Sequence, residues 1–428
     1  MTSLSLITPG RREGTLGERL GTFLVVLFVM AYKSNDALSL PQFWAEDATV
    51  FFTDQYGLAL PQVFEPYAGY LLAIPRLVAW IAAWLPVAKA PLIYNAAAIL
   101  LSTMAITYTC RRLRGLVPAW IVALSMLAVP TNGEIFGTLT NVQWFLQFVM
   151  AVCCLLPVEA TTSRITPWLR AAIVMLIALT GPFSALLLAV VCAITAASWL
   201  AARTRIDPFN GALSGFTTNR DWPVIAATAI GGIVQAGVIL SYPEAQRLAG
   251  MGPAWVFDTT FIKLVPPHIF GSDFLTGTAW LLLYALLIGT LLLARRIDGL
   301  ARLTVLGFIA FAVVETFVPM LRMTDPAGLV PLNGDRYFYL AKVVWWWAVW
   351  LALSGQTRRS RVNATATTTA LICLFALTNA QYLRRPPFKD FDWKGQSAQL
   401  SQPGPHTIPV NPYDWKIEVE TAVPDEKK

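Results

Sequence analysis

The feature that most constrains this chain is a succession of apolar stretches longer and more numerous than a soluble fold can bury. They lie near 18–34, 90–110, 117–131, 144–158, 169–182, 183–201, 223–241, 277–294, 302–320, 338–354 and 364–382. Each approaches the ~20 residues a helix needs to cross the hydrocarbon core of a bilayer. Composition agrees: 56% of the 428 residues are hydrophobic and 13% charged, about half the charge of an ordinary soluble domain. So little charge cannot cover a soluble surface, and so much apolar area excludes disorder. Within a bilayer the backbone must satisfy its own hydrogen bonds, which leaves helices. The expected fold class is an all-α polytopic membrane protein with about eleven transmembrane helices.

Charge sets the expected topology. Arg11, Arg12 and Arg19 precede the first apolar run, and no small-residue cleavage site follows it, so it reads as an uncleaved span. One further apolar segment, Tyr67 to Pro86, either crosses or lies at the surface. If it does not cross, the clusters Arg111-Arg112-Leu113-Arg114, Arg203 with Arg205, Arg295-Arg296 and Arg358-Arg359 share one side with the N-terminus. If it crosses, they face outward. The positive-inside rule selects the first arrangement. The segment is then a juxtamembrane or re-entrant helix in a long first outer loop, about 35–89. The expectation is a multi-pass inner (plasma) membrane protein with a cytoplasmic N-terminus. Residues 1–382 form the transmembrane part and 383–428 an extracytoplasmic tail, which ends in one short strand and packs on the outer loops.

Several function classes drop out. The net charge of +7 follows from the positive-inside bias, and no basic cluster interleaved with aromatics points to nucleic acid. The five cysteines form no CxxC, and His268 and His406 are the only histidines. There is no P-loop and no GxGxxG to bind a nucleotide.

The richest segment for chemistry is Phe43-Trp44-Ala45-Glu46-Asp47. Two adjacent carboxylates sit among aromatics, soon after the first span and on its outer side. Partial burial or a nearby cation tunes such a carboxyl for general-base work; the alternative is a solvated acidic loop or a helix cap. An anionic ligand would need cations on the same side. Arg336, in Asn333-Gly334-Asp335-Arg336-Tyr337, suits bidentate phosphate binding just before a span; its alternative is snorkelling, or pairing with Asp335. Lys342 lies a turn and a half further on, and Arg247 and Arg76 are the other candidates. Hydroxyl-rich ligands need polar groups and aromatic faces. Glu134, Asn141, Gln143, Trp144 and Tyr67 offer both at the outer edge. Glu315, an acid within an apolar span, is a supporting candidate.

The order of these pieces resembles the front third of GT-C fold glycosyltransferases. An acidic pair lies early in the first outer loop, a juxtamembrane segment follows Glu65-Pro66-Tyr67-Ala68-Gly69-Tyr70, and the next span ends in the basic turn Arg111–Gly115. The order here is Glu46-Asp47, where that family often shows Asp-Glu. The Lys-Pro-Pro-Leu element of some relatives is replaced by Pro66-Tyr67-Ala68-Gly69, which separates the chain from the lipid A aminoarabinose transferases. The resemblance implies a polyprenyl-phosphate sugar donor, a glycan or glycolipid acceptor, and membrane lipids as surroundings. It also implies that Glu46 or Asp47 is the base in an inverting transfer. No cofactor is assigned; two adjacent carboxylates could ligate a divalent cation, although a complete oxygen shell is not evident. The competing readings are a transporter or flippase of lipid-linked saccharides and a non-catalytic assembly subunit.

Overall fold

The computed structural model describes residues 15–159, 165–242, 250–271, 278–329, 334–357, 372, 376 and 383–421. The helices are α1 (Leu16–Lys33), α2 (Ala73–Ala82), α3 (Ala90–Leu113), α4 (Ala119–Ala128), α5 (Gln143–Leu155) and α6 (Thr166–Ala178). They continue as α7 (Phe183–Thr204), α8 (Trp222–Ser241), α9 (Thr278–Leu293), α10 (Gly299–Met320) and α11 (Tyr339–Thr357). Short helical turns fill the connections.

Helices form at ten of the eleven expected positions, and the eleventh, 364–382, falls almost wholly outside the described residues. The expected count of spans is nevertheless corrected. Among the described residues, four helices are long and apolar enough to cross a membrane: α3 with the turn before it, α7, α8 and α10. α2, α4, α5, α6 and α9 are shorter apolar helices. Their ends are set by the sequence. α4 stops before Pro130, and α6 stops before the Thr180-Gly181-Pro182 turn, where Gly181 takes φ +92°. α1 has 18 residues but carries Glu18, Arg19 and Lys33 at its ends.

Local chemistry explains the boundaries. Thr15 and Glu18 form a reciprocal capping box at the start of α1. Asp298 caps α10 by accepting from the Ala301 N–H at 2.9 Å. Arg302, in the next turn, donates to the carbonyls of Leu291 and Leu292 at the end of α9 and to Pro208. Those carbonyls have no partner within their own helix.

The core is aromatic where α4, α5, α10 and α11 meet. Phe148 lies against Phe308 and Trp347, and Phe145 against Tyr339. The Trp347 indole donates to Ser125 Oγ at 2.8 Å. Trp345, Trp346 and Trp347 are all buried, so they pack the bundle rather than forming a surface belt. Elsewhere small residues bring helices together. A Cβ on Gly231 of α8 would stand 2.5 Å from the Ala178 Cβ of α6, and one on Gly232 would press the Ser184 backbone of α7.

The tail corrects the all-α expectation. Instead of one strand it forms an antiparallel hairpin, β1 (Gly404–Val410) with β2 (Trp415–Thr421). Ile408, Val410 and Ile417 are buried on its inner face. The tail is tied to the first loop. Asn411 accepts from the Ala45 N–H and donates its own to Phe43 O, Trp393 Nε1 donates to Val87 O at 3.0 Å, and Arg385 pairs with Asp36 at 2.6 Å.

The Gly231 contact yields a prediction. Gly231→Val should lower stability by about 1–3 kcal/mol, the usual cost of overpacking a tight contact. Thermal unfolding of the detergent-solubilised protein would show it, and Gly237→Val, at a position with open space around it, should show much less.

Candidate functional site

Two segments of the first loop meet a third from 335–338, and each is anchored before it presents anything. The first is the acidic pair. Its two members play opposite roles. Asp47 is fully buried, and its two oxygens accept from the backbone N–H groups of Leu139 at 2.9 Å and Thr140 at 2.6 Å. Burial pushes its carboxyl up to about 8, with the two N–H donors pulling down and Glu46 adding repulsion. Glu46 turns elsewhere. It is half-buried, and its Oε2 is buried without a hydrogen-bond partner. The residue before it, Ala45, is held at φ +34°, a conformation L-residues rarely adopt and which persists only when its surroundings impose it. Asn411 from the tail provides that hold.

The second segment is 66–74. Tyr67 and Tyr70 exchange backbone hydrogen bonds at 2.9 and 3.1 Å across Ala68-Gly69, both at positive φ. This is the conformation that two-residue hairpin turns require. The segment is pinned from below. Gln235 of α8 accepts from Leu71 N and donates to Leu71 O, and Leu72 pairs with Thr180. The Tyr67 hydroxyl is pushed up to about 12 by burial and by Glu46, so it stays a neutral donor.

The third segment is 335–338. Asp335 is fully buried and paired with Lys342, which also donates to Pro130 O at 2.6 Å. His268 stacks on Phe338 at 3.9 Å, places Nδ1 3.6 Å from Asp335 Oδ1, and meets Leu329 O through Nε2 at 2.9 Å. Burial raises the Asp335 carboxyl, but Lys342 and His268 win and hold it below the usual range. The next residue, Arg336, is left facing the other segments. Its Nη1 lies 3.5 Å from Glu134 Oε2, and its N–H donates to Glu134 Oε1 at 3.3 Å. Burial raises the Glu134 carboxyl, opposed by Arg336. Arg336 also senses the charge of Glu46 and lies over the Tyr337 ring. The cluster that results is Glu46, Tyr67, Arg336, Tyr337 and Glu134, with Tyr70 at its edge.

The remaining predicted residues divide. Trp144 stands edge-on to Tyr337 at 5.7 Å, and its indole N–H is buried without a partner. Gln143 donates to Thr140 O, and its Oε1 is likewise unpartnered. Asn141 is spent on structure, bonding Glu134 O and Thr138 Oγ1. Lys342 reaches the cluster only through Asp335. Arg76 is not brought to it: it is buried under Phe51 and paired with Asp54 at 3.1 Å. Arg247 lies outside the described residues. Glu315 finds neither Lys342 nor Arg336 but Gln147, which donates to it at 3.0 Å. Tyr70, Tyr337 and Gln235 were missed. The Tyr67-Ala68-Gly69-Tyr70 turn carried a local signal for the first, whereas Gln235, 164 residues from its partner Leu71, carried none.

Asp47 and Glu134 are not free to ligate a divalent cation together with Glu46. Asp47 is committed to two backbone donors and Glu134 to Arg336. No group of three or more His, Cys, Asp or Glu that could hold a metal ion occurs among the described residues.

No protein-family model matches the chain, and no curated protein matches it. Among solved structures, the crystal structure of the Archaeoglobus fulgidus oligosaccharyltransferase, a complex with Zn and sulfate, aligns with 89% of this chain and 55% of its own, at 12% identity and a TM-score of 0.41. This chain thus spans about half the length of that enzyme. A likeness of this size carries no functional argument.

The shifted carboxyl gives a pH prediction. The folded-state value of Asp47 lies above its unfolded value of 3.8, so the native state binds the extra proton. The contribution of Asp47 to stability is therefore full below about 4 and lost as pH rises through about 8. Asp47→Asn should flatten the fall in unfolding temperature between pH 5 and pH 8. It should also lower stability at pH 5 by about 1–3 kcal/mol, because an amide can accept from only one of the two N–H groups at this geometry. Thermal unfolding across that pH range measures both.

Proposed function

We propose that this chain is a GT-C type glycosyltransferase, acting at the outer face of the inner membrane on a polyprenyl-phosphate-linked sugar. The acceptor is a cell-surface glycan, its lipid-linked precursor or a glycolipid. The observation that carries the reading is the unpartnered, buried carboxylate oxygen of Glu46, held beside the Tyr67 phenol and the Arg336 guanidinium. A carboxylate with one oxygen unpartnered and a cation in one half-buried cluster are what transfer from a phosphate leaving group can use.

In this reading Glu46 takes the proton from an acceptor hydroxyl. The acceptor oxygen bonds to the anomeric carbon as the bond from that carbon to the phosphate oxygen breaks. The electron pair leaves with polyprenyl phosphate, and the configuration inverts. Arg336 meets the phosphate; Glu134, at 3.5 Å, is its partner when no phosphate is there. Trp144 and Gln143, each with an unsatisfied polar atom, face the sugar hydroxyls. Asp47 is the strut that keeps Glu46 in place rather than the base.

Purified protein given a panel of polyprenyl-phosphate hexoses and acceptor glycans should release polyprenyl phosphate with at least one donor. Glu46→Gln should cut that rate by about 10²- to 10⁴-fold, the usual span for loss of a general base. Arg336→Lys should raise the KM for the donor, because an ammonium cannot replace the two-pronged contact. Full activity in Glu46→Gln overturns the assignment of the base. A donor that crosses the bilayer uncleaved would move the reading to a flippase.

A further inference from the structure

A second group of charged residues lies at the opposite end of the bundle. α3 starts beside the first loop and runs 24 residues to Leu113, a rise of about 36 Å. At that far end Glu159 is gripped by three arginines. Arg111 Nη2 donates to its Oε2 at 2.9 Å, Arg112 Nη1 lies 3.3 Å from Oε1, and Arg170 Nη1 lies 4.0 Å from Oε2. Arg170 also pairs with Asp221 at 2.6 Å, and Arg220 neighbours Asp221. Three guanidinium groups thus face two carboxylates.

The corner is built, not loose. Arg112 Nη2 donates to Pro157 O at 2.9 Å, Arg220 Nη1 to Cys154 O at 3.2 Å, and Val158 N to Asn219 O at 3.0 Å. Arg112 is 6% exposed, and its Nε has no hydrogen-bond partner; nor has that of Arg170. Two helices begin here, α6 at Thr166 and α8 at Trp222, and helix N-termini favour anions. Trp168 and Trp222 stand exposed in their first turns. Indoles in that setting mark headgroup depth in a membrane.

Glu159 is therefore an internal anion in a guanidinium site with positive charge to spare. Arginine forks match phosphate as well as carboxylate, and basic pockets between membrane helices hold anionic headgroups. We propose that this corner binds the phosphate headgroup of an anionic phospholipid. Arg111 and Arg170 contact the phosphate, and Glu159 is the built-in competitor that weakens binding. The inference does not depend on the glycosyl-transfer reading.

The test titrates the full-length protein in detergent micelles with phosphatidylglycerol, phosphatidylcholine or inorganic phosphate, with bound lipid counted by native mass spectrometry. Phosphatidylglycerol should bind saturably and phosphatidylcholine should not. Arg111→Gln and Arg170→Gln should each weaken phosphatidylglycerol binding about fivefold, the effect of one basic residue near an anionic surface. Glu159→Gln should tighten it by a similar factor, a gain that misfolding cannot mimic. Arg203→Gln, which removes a guanidinium stacked on Trp199, should change nothing. Equal binding of the two lipids, or no tightening in Glu159→Gln, overturns the proposal. So does displacement of phosphatidylglycerol by millimolar inorganic phosphate, which would make this a site for the free anion.

Discussion

The two hydrogen bonds that Asp47 accepts from Leu139 and Thr140 hold the candidate site together. They join the first loop to the connection between α4 and α5, segments more than 90 residues apart in sequence. A carboxyl group removed from water loses several kcal/mol of hydration, and directed backbone donors are what offset it. On the other side of the same strand of chain, Asn411 takes up the backbone of Phe43 and Ala45. The acidic segment is thereby clamped between a loop of the bundle and the tail. Phe43 fills the clamp, with Tyr94 and Trp393 edge-on at 5.0 and 4.6 Å.

The same arrangement recurs at the second charged segment. Asp335 is buried and paired with Lys342, and its neighbour Arg336 is left to face the cluster. Consecutive residues in a helical turn point in directions about 100° apart. An acid locked into the protein at one position therefore dictates where the adjacent side chain goes. Asp47 does this for Glu46, and Asp335 does it for Arg336. In each dipeptide one residue supplies rigidity and the other is left with unmet or weakly met bonding. The stability of the first is what keeps the second from collapsing onto the nearest partner.

This division explains what could be read from the sequence. Apolar runs located the helices, since hydrophobicity over 15 to 20 residues is a strong local signal. The acidic pair and Arg336 were legible as unusual residues at the outer ends of those runs. Which member of Glu46-Asp47 is free was not legible, because it depends on two N–H groups 92 and 93 residues away. Arg76 looked available for the same reason: its partner Asp54 lies outside its own helix. Lys342 was read as a helper of Arg336, but it serves through Asp335, seven residues earlier. Span lengths failed because the apolar runs 117–131 and 144–158 outlast their helices, which end at Ala128 and Leu155.

That failure bears on how the site is made. α4 and α5, with 10 and 13 residues, rise only about 15 and 20 Å, short of a ~30 Å hydrocarbon core. Both are much shorter than neighbours such as α3, and the connection between them is irregular. Irregular backbone within a membrane bundle is tolerated only where protein satisfies it. Here it is: every residue of 129–142 except Asn132 is buried. Thr131 and Asn132 side chains accept from Gly133 and Glu134, Thr138 and Asn141 bond the Glu134 carbonyl, and Asp47 takes the last two N–H groups. Gly133, at φ +91°, lets the Arg385 backbone close over the loop where a Cβ would collide. Short helices thus give way to a buried, irregular connection that carries Glu134. Arg336 and Glu46 meet Glu134 there because their own anchors, Asp335 and Asp47, are tied to the same loop, through Lys342 to Pro130 and directly to Leu139 and Thr140.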